Sequence, residues 1–429
     1  MQIFITATNL LKQKSVKQFI GLFSVNIISL PLGFITSIII TKYLGAQTYG
    51  DYKFLDSIFR MAIILCNFGL FYAGSRALLL EKNRDRSREY YATILIITLV
   101  LSTIMCVALL VYAIIDPNIS SKGLLGPFLC ILPFGFVYMI NYCYETLLQA
   151  DNQIALLSKV RLLPKLGYLL GGMVAILYFQ EVSFNKLLLV CYIYLLTQLV
   201  VYAYVMLKLR PLFANIRERW KEIKNYNKSY GFDVYVGSLF AVGFSVLPDI
   251  LISYFDIDNQ GVGFYSLALM FASPLAFVPT TMATTQYRKF SEIEKIKPKS
   301  IKITLLLSVL VMLSLWAIVP VIINLFYSSE FNEVIKLNFI VSFGVLLYGI
   351  ADFFNRFIGA KGQGKLLRNS SFIVGLSVLI ANFILVPLYG AAGASWAKVT
   401  AGIVYLTTML ICYRKTLKGN MQRYDHQKD

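Results

Sequence analysis

The chain has 429 residues, of which 58% are hydrophobic and only 14% are charged, and its formal net charge is +18. A soluble globular domain carries about a quarter charged residues, so this composition, with a mean hydropathy of +0.67, predicts a polytopic membrane protein. Since a spanning helix needs about 20 apolar residues, the apolar runs leave only short connections and two tails, which excludes a soluble catalytic domain.

Twelve apolar runs are long enough to cross a bilayer. They lie near residues 18–41, 53–75, 91–115, 124–148, 160–179, 187–207, 233–255, 264–285, 301–325, 335–356, 366–386 and 391–412. The predicted fold is therefore an all-α polytopic membrane protein with about 12 transmembrane helices.

The connections between these runs alternate sharply in charge. Of the 40 Lys and Arg residues, 33 lie in the two tails, in every second connection or at the span ends beside these connections, and five lie in or beside the other connections, Lys42 and Lys53 among them. Positive charge in short loops marks the cytoplasmic side, so we expect both termini to be cytoplasmic. Because spans separate the basic loops, this charge favours anionic membrane lipids as partners and argues against nucleic acid.

A faint internal repeat relates the two halves of the chain. LFSVNIISLP (22–31) and LFAVGFSVLP (239–248) share Leu, Phe, Val, Leu and Pro at the same spacing, and the similar turns YGDY (49–52) and VGFY (262–265) follow them. The repeat predicts one six-helix unit used twice in the same orientation. Transporters are often built in this way, with the substrate path between the halves.

The repeat predicts four regions. These are an N-terminal six-helix lobe (1–207), a basic cytoplasmic linker (208–229), a C-terminal six-helix lobe (230–413) and a cytoplasmic tail (414–429).

Pro31 and Pro248 occupy the same position in the two copies of the repeat, in the middle of a span. Each proline removes a backbone hydrogen bond and is expected to bend its helix. Two interpretations stay open: a static kink that packing absorbs, or a pair of helices that flex as gates.

Several ionisable residues lie within spans, where a charge is costly and usually faces a cavity or a partner. Asp56 and Arg60 are four residues apart and can pair on one helix face, and Asp352 and Arg356 repeat this spacing. Asp249 directly follows Pro248 in the seventh span.

Arg60 and Lys398 are the most deeply placed cations. Each lies about seven residues into a span that enters from the outside, or roughly 10 Å at 1.5 Å per residue. They come from different copies of the repeat, so we expect a cationic cavity between the halves, with pairing of Arg60 to Asp56 as the alternative. Arg356, nearer the inner surface, is the third candidate, and there snorkelling competes with a binding role. Such a cavity suits an anionic substrate, and a lipid diphosphate is the natural candidate.

The stretch PLYGAAGASWAK (387–398) concentrates small residues next to this lysine. Pro387 is expected to end the eleventh span, and Gly390 to allow the turn back into the membrane. Ala394 and Ala401 share a helix face with Lys398 and should leave room beside its ammonium group.

With two six-helix halves, the YLGAQTYGDY turn (43–52) and VPLYGAAGASWAK (386–398), the chain resembles the polysaccharide flippases. These are the Wzx-type O-antigen and repeat-unit transporters of the multidrug/oligosaccharidyl-lipid/polysaccharide (MOP) exporter superfamily. The resemblance extends over nearly the whole chain and implies a V-shaped bundle of two lobes with alternating access. The implied cargo is an undecaprenyl-diphosphate-linked oligosaccharide, moved from the inner to the outer leaflet of a bacterial inner membrane for O-antigen, capsule or another surface polysaccharide.

The resemblance also implies ion coupling, since relatives use protons or sodium, and Asp56, Asp249 and Asp352 are the candidate residues here. Expected partners are the lipid-linked oligosaccharide, membrane lipids and the polysaccharide polymerase machinery. We predict no metal site, because the six cysteines lie in apolar runs without CxxC spacing. We also predict no cofactor and no catalytic residue, because the sequence shows no acid/base pair, nucleophile triad or phosphate-binding loop.

Other functions remain as alternatives, and the length of the outer connections bears on one of them. A membrane polymerase or ligase acting on lipid-linked sugars would need a large outer loop, whereas the longest outer connection here, near 326–335, has about ten residues. A multidrug antiporter of the same fold, a flippase for the peptidoglycan precursor and a membrane scaffold protein are the remaining alternatives.

Overall fold

A computed structural model describes residues 14–179, 185–241 and 243–425 of the chain, and nearly all of them are helical. The helices in chain order are α1 (Lys14–Cys66), α2 (Leu70–Leu80), α3 (Arg84–Ile115), α4 (Pro117–Ser121), α5 (Leu125–Ile131), α6 (Gly135–Ala150), α7 (Ile154–Tyr178), α8 (Lys186–Leu209), α9 (Ile216–Tyr226), α10 (Phe232–Ala241), α11 (Leu247–Phe255), α12 (Gln260–Ala272), α13 (Phe277–Glu292), α14 (Pro298–Phe326), α15 (Glu333–Ala360) and α16 (Gly364–Asp425). Short 3-10 or π-helical turns join several of them.

Nine helices in the described ranges are long and apolar enough to cross a membrane. Two of these, α1 and α16, each contain two spans. The spans are separated by a glycine with non-helical backbone angles, which is Gly45 in α1 (φ 75°) and Gly390 in α16 (φ 52°). The pair α10 and α11, which a 3-10 turn separates, supplies one more apolar segment. This arrangement agrees with the predicted twelve spans and identifies a multi-pass membrane protein.

The surface of the long helices supports a membrane setting. α3 and α14 carry rows of large apolar side chains that are exposed, among them Val107, Ile114, Leu306 and Leu325. Exposed apolar surface of this extent is rare on soluble proteins, and here it lies on helices long enough to span a bilayer.

The first compact unit comprises Met1–Gly45 and Ala62–Val236. Its centre is packed with aromatic side chains, of which Phe71, Phe128 and Tyr144 are fully buried. The rings of Tyr91 on α3 and Tyr144 on α6 stack with their centroids 6.2 Å apart.

The basic linker is anchored to this first unit by a buried ion group on α9. Arg219, with a side chain only 4% exposed, lies 3.2 Å from Glu89 of α3 and 2.7 Å from Glu222. Burial by itself disfavours the charged guanidinium, but the hydrogen bond with Tyr90 and the charges of Glu222 and Glu89 raise the pKa of Arg219 above its usual value. A linker held in this way is a packed part of the unit.

The second compact unit comprises Ala46–Met61 and Gly237–Asp429. Residues 46–61 therefore pack with the helices of the second half, whereas the repeat assigned them to the N-terminal lobe. The reason is a close approach: a Cβ on Gly50 would lie 1.8 Å from the carbonyl oxygen of Asn259. Asn259 also donates its side-chain amide to Asp51 at 2.7 Å.

The four residues predicted to bend or end helices differ in their outcome. Pro31 lies within α1, where Gly45 is the residue with non-helical angles. Pro248 stands in the first turn of α11, a position that tolerates proline because its missing N–H has no helical partner there. Gly390 makes the predicted turn, but α16 continues through Pro387, so the prediction that Pro387 ends the helix was wrong.

Candidate functional site

Lys398 lines a cavity of about 340 Å³ within the second unit. Its walls come from α10 to α12, α15 and both parts of α16, and the polar and small residues that line it include Tyr265, Tyr348, Asn355, Asn382, Ala394, Ala397, Ala401 and Tyr405. The predicted space beside Lys398 is thus present, and Ala394 and Ala401 help to form it.

The ammonium group of Lys398 contacts an aromatic ring. Its Nζ lies 3.9 Å from the centroid of the Tyr348 ring on α15, a cation–π contact. Among the described residues, no carboxylate lies within 4 Å of Lys398, so its charge has no ion-pair partner there. A half-buried cation of this kind is available to an anion that enters the cavity.

Close packing of α15 against α16 holds Lys398 in place. A Cβ on Gly344 would lie 2.9 Å from the backbone and side chain of Lys398, so α15 and α16 approach here as only glycine allows. The packing of α15 against Lys398 therefore depends on a glycine of α15.

Polar groups on the same wall could receive a sugar. Asn355 donates to the hydroxyl of Tyr405 at 2.6 Å, and the rings of Tyr405 and Tyr348 lie 5.3 Å apart. The side-chain oxygen of Asn382 is buried and has no hydrogen-bond partner among the described residues. A buried acceptor without a partner costs about 1–3 kcal/mol, so it favours a donor from a ligand or from water.

A second group of charges lies on the part of α1 that follows Gly45. The carboxylate of Asp56, 7% exposed, is 2.7 Å from Nε of Arg60, whose side chain is 56% exposed. The predicted pairing is confirmed, and both residues belong to the same unit as Lys398. Arg60 and Lys398 come from different copies of the sequence repeat, but residues 46–61 pack with the second unit, so both cations lie in one unit.

Lys53 completes this group and was missed in the sequence, where it was counted in an outer connection. Its ammonium lies 5.4 Å and 5.5 Å from the ring centroids of Tyr49 and Tyr52. It interacts electrostatically with Asp56 and with Asp249 of α11. The spacing of 53, 56 and 60 along one helix face was the available signal.

Asp249 faces this group from the start of α11. Its Oδ1 accepts a hydrogen bond from Ser266 at 3.3 Å, and Lys53, Arg60 and Asp56 are close enough to interact with it electrostatically. Two cations and two carboxylates thus share one region, in which a change at Asp249 alters the balance of charge. We call these four residues, Lys53, Asp56, Arg60 and Asp249, the charge quartet.

Arg356 and Asp352 form the second predicted pair, with Nε and Oδ2 at 3.0 Å. Their side chains are about one-third exposed, at 37% and 33%. Both interact electrostatically with Tyr405, which lines the cavity of Lys398. The structure therefore places this pair beside the cavity, with the charge of Arg356 already compensated.

Comparisons with known proteins agree with this architecture. Residues 15–287 match the model of a family described as polysaccharide biosynthesis protein, which is more than half of the chain. No curated protein matches the chain by sequence.

Solved structures show the same fold at low sequence identity. The chain is similar to the lipid II flippase MurJ in an inward closed conformation, with a TM-score of 0.71, 15% identity, and coverage of 92% of this chain and 88% of that one. It is also similar to an inward-facing multidrug resistance MATE family transporter of the MOP superfamily, with a TM-score of 0.70, 15% identity, and coverage of 93% and 99%. A MOP superfamily transporter from Pyrococcus furiosus, reported with a binding pocket of reversed polarity, gives a TM-score of 0.56, 15% identity and coverage of 98% of both chains.

Proposed function

Because this chain belongs to the polysaccharide biosynthesis protein family and has the fold of MOP superfamily transporters, we propose that it is a flippase for lipid-linked oligosaccharides. It moves undecaprenyl-diphosphate-linked repeat units from the inner to the outer leaflet of the bacterial inner membrane, with both of its termini in the cytoplasm. The product is a surface polysaccharide such as O-antigen or capsule.

The observation that supports this cargo is the cation Lys398, which lines a cavity of a membrane-spanning unit and has no carboxylate partner among the residues that the structure describes. A diphosphate supplies the missing negative charge, and lysine binds it as a point charge. The cavity of about 340 Å³ is at the lower end of the range for small-ligand sites. It suits the diphosphate and the first sugar, while the polyprenyl chain stays in the bilayer.

The sugar end of the cargo has matching groups in the same cavity. Sugar hydroxyls donate to the unpartnered oxygen of Asn382, and the flat faces of Tyr348 and Tyr405 offer surfaces on which a sugar ring packs. We propose that Arg60 and Arg356 assist at the same binding step, as paired cations whose partners Asp56 and Asp352 release them when phosphate arrives.

Transport follows an alternating-access cycle in this proposal. Asp249 and Asp56 of the charge quartet bind the coupling ion, a proton or sodium, and Asp352 is the remaining candidate. α1 and the α10–α11 pair, which carry Pro31 and Pro248, move as gates. The polysaccharide polymerase machinery receives the flipped product.

Two other cargoes fit the same fold and are separated by one experiment. A strain that lacks its own repeat-unit flippase, and therefore its surface polysaccharide, is given this gene, and the polysaccharide is measured on the cell surface. We expect its recovery. Growth rescue of a strain depleted of its lipid II flippase, or drug resistance without surface polysaccharide, would replace the proposal with a peptidoglycan-precursor flippase or a multidrug antiporter.

The enzyme alternative is tested in the same strain. A polymerase or ligase would change the chain length or attachment of polysaccharide in cells whose flipping is intact, and would leave the flippase-deficient strain without surface polysaccharide. Solved structures with a similar fold are those of transporters and flippases, so we expect the flippase-deficient strain to regain its surface polysaccharide.

A further inference from the structure

A second cavity, in the first unit, has five basic side chains in its lining. It measures about 660 Å³ and lies where α2 gives way to α3 and where α7 begins and α8 ends. Lys82, Arg84, Arg88, Lys159 and Lys208 line it. None of them belongs to the cargo site proposed above, and together they gather charge from three separate stretches of the chain.

Two carboxylates also line this cavity, but both are already bonded. Asp151 Oδ2 accepts hydrogen bonds from the hydroxyl of Tyr91 at 2.9 Å and from the amide of Gln153 at 3.2 Å. Glu81 accepts from two backbone N–H groups of the loop that follows it, and lies 3.7 Å from Arg86. Both carboxylates keep their charge, but the five basic residues outnumber them, so the cavity has an excess of positive charge.

Arg88 forms a fixed side of the cavity. Its Nε donates to the backbone carbonyl of Arg210 at 2.7 Å, and its guanidinium lies 3.0 Å from Asp85. The hydrogen bond from Arg88 to Arg210 links the start of α3 to the end of α8, two of the elements that form the cavity.

The other cations are freer to bind a ligand. Lys159 donates to the hydroxyl of Tyr204 at 2.9 Å, and Lys159 and Lys208 lie 5.3 Å and 5.8 Å from the centroid of the same ring. Lys82, Arg84 and Lys208 have no carboxylate within 4 Å in the described part of the chain. Three unpaired cations around one depression attract a multiply charged or bidentate anion, such as a phosphate.

The surroundings of the cavity indicate where the phosphate comes from. Leu156 and Leu209 line the cavity beside its charged groups. On α8, Leu207 and Val200 are strongly exposed, next to and two turns before Lys208. An apolar helix surface that runs directly into a basic cavity is complementary to a lipid, with its headgroup in the cavity and its tails along α8.

We propose that this cavity is a binding site for the phosphate headgroup of an anionic membrane lipid, separate from the cargo site. The lipid fixes the ends of α3, α7 and α8 at the membrane surface on the side where the chain concentrates its positive charge. The chemistry that recognises it is a phosphate diester with an adjacent acyl chain.

Native mass spectrometry of the purified full-length protein tests this site with phosphatidylglycerol, with phosphatidylcholine and with inorganic pyrophosphate as a free anion. The variant K82Q/R84Q/K208Q removes the three unpaired cations. The matched control K295Q/K297Q/K299Q removes the same charge from an exposed connection that does not line the cavity. Each basic residue near an anionic membrane contributes about fivefold, so the cavity variant should bind phosphatidylglycerol about a hundredfold more weakly, and the control should bind like wild type.

The assay contains no lipid-linked oligosaccharide, so its result does not depend on the proposed flippase activity. Equal losses in both variants would show that the overall charge attracts the lipid and would overturn the site. Unchanged binding in the cavity variant, or equal binding of phosphatidylcholine, would also overturn it. Binding of pyrophosphate as tight as that of phosphatidylglycerol would replace the lipid with a soluble phosphate ligand.

Discussion

The ammonium nitrogen of Lys398 lies 3.9 Å from the centroid of the Tyr348 ring, with α15 packed against the lysine backbone at Gly344. An aromatic face stabilises a cation without neutralising it. Lys398 can therefore stay charged in the cavity, and its ammonium group can bind a phosphate while the Tyr348 ring still holds it in position.

Replacing Lys398 by alanine removes the charge from the cavity. We expect transport of lipid-linked oligosaccharide to fall about 10–100-fold, the factor that corresponds to a hydrogen bond to a charged group. The measurement is surface polysaccharide in the complemented strain, normalised to the amount of inserted protein. Lys398→Arg should retain part of the activity. Lys336→Ala, which removes an exposed lysine paired with Glu333, is the control, and full activity in Lys398→Ala would rule out a role for this cation.

Tyr348 can be tested for its ring and its hydroxyl separately. Tyr348→Phe keeps the aromatic face and should retain transport, whereas Tyr348→Leu loses a desolvated cation–π contact, worth about 2 kcal/mol, and should reduce transport about tenfold or more. The same surface assay measures both variants. Equal activity of the two would show that the ring does not position Lys398.

Asp249 and Asp352 make competing predictions for ion coupling. Asp249 shares its surroundings with Lys53, Asp56 and Arg60, whereas Asp352 is paired with Arg356. In proteoliposomes with an imposed proton or sodium gradient, Asp249→Asn should make transport insensitive to the gradient, and Asp352→Asn should leave the gradient dependence intact. The reverse pattern would move the coupling site to α15.

Gly390 has a backbone conformation that other residues adopt only with strain. Its φ is 52°, and a Cβ would lie 2.7 Å from Oδ1 of Asp256. Gly390→Ala should therefore destabilise the protein by about 1–3 kcal/mol, seen as a lower midpoint of thermal unfolding in detergent. Gly126→Ala, in the helix α5 with no atom within 4 Å of the added Cβ, should leave the midpoint unchanged or slightly raised. Equal midpoints for the two variants would contradict the strained turn.

Arg219 tests the anchoring of the linker helix α9. Arg219→Gln leaves the buried Glu89 without its cationic partner, although the neutral amide of Asn215 still donates to it, and loss of one member of a buried pair costs about 3–5 kcal/mol. We expect a clear fall in the unfolding midpoint and faster proteolysis within 208–229. Arg217→Gln, an exposed change of the same type on the same helix, serves as the control. Wild-type behaviour of Arg219→Gln would mean that the linker is held by its apolar contacts.

Much of the fold was predictable because the bilayer imposes simple rules. Length and hydropathy gave the twelve spans, and the unusual glycine Gly390 could be recognised beside Pro387 in a run of small residues. The local pair Asp56 and Arg60 followed from helical spacing alone. In each case the relevant interaction lies within one helix or one turn.

The candidate site was less predictable, because it depends on contacts between distant helices. Nothing near Lys53 in the sequence reveals that it faces Asp249, and Asn382 looks like an isolated polar residue until its buried oxygen is located. The internal repeat did not reveal that the helix of Arg60 packs with the second unit, where Gly50 approaches Asn259 at the start of α12. Homologous position in a repeat does not determine which unit a helix joins.

The crossing of residues 46–61 into the second unit has a consequence for how the protein is made. This segment enters the membrane well before Asp249 is synthesised, a delay of roughly 10–40 s at ordinary elongation rates. During that interval Asp56 and Arg60 can neutralise each other within their own helix, whereas Lys53 has yet to meet the carboxylate of α11. Residues 46–61 must therefore tolerate the charge of Lys53 without Asp249 while the chain is being made. If the chain were divided in the linker, its C-terminal part would lack residues 46–61, which belong to the second unit.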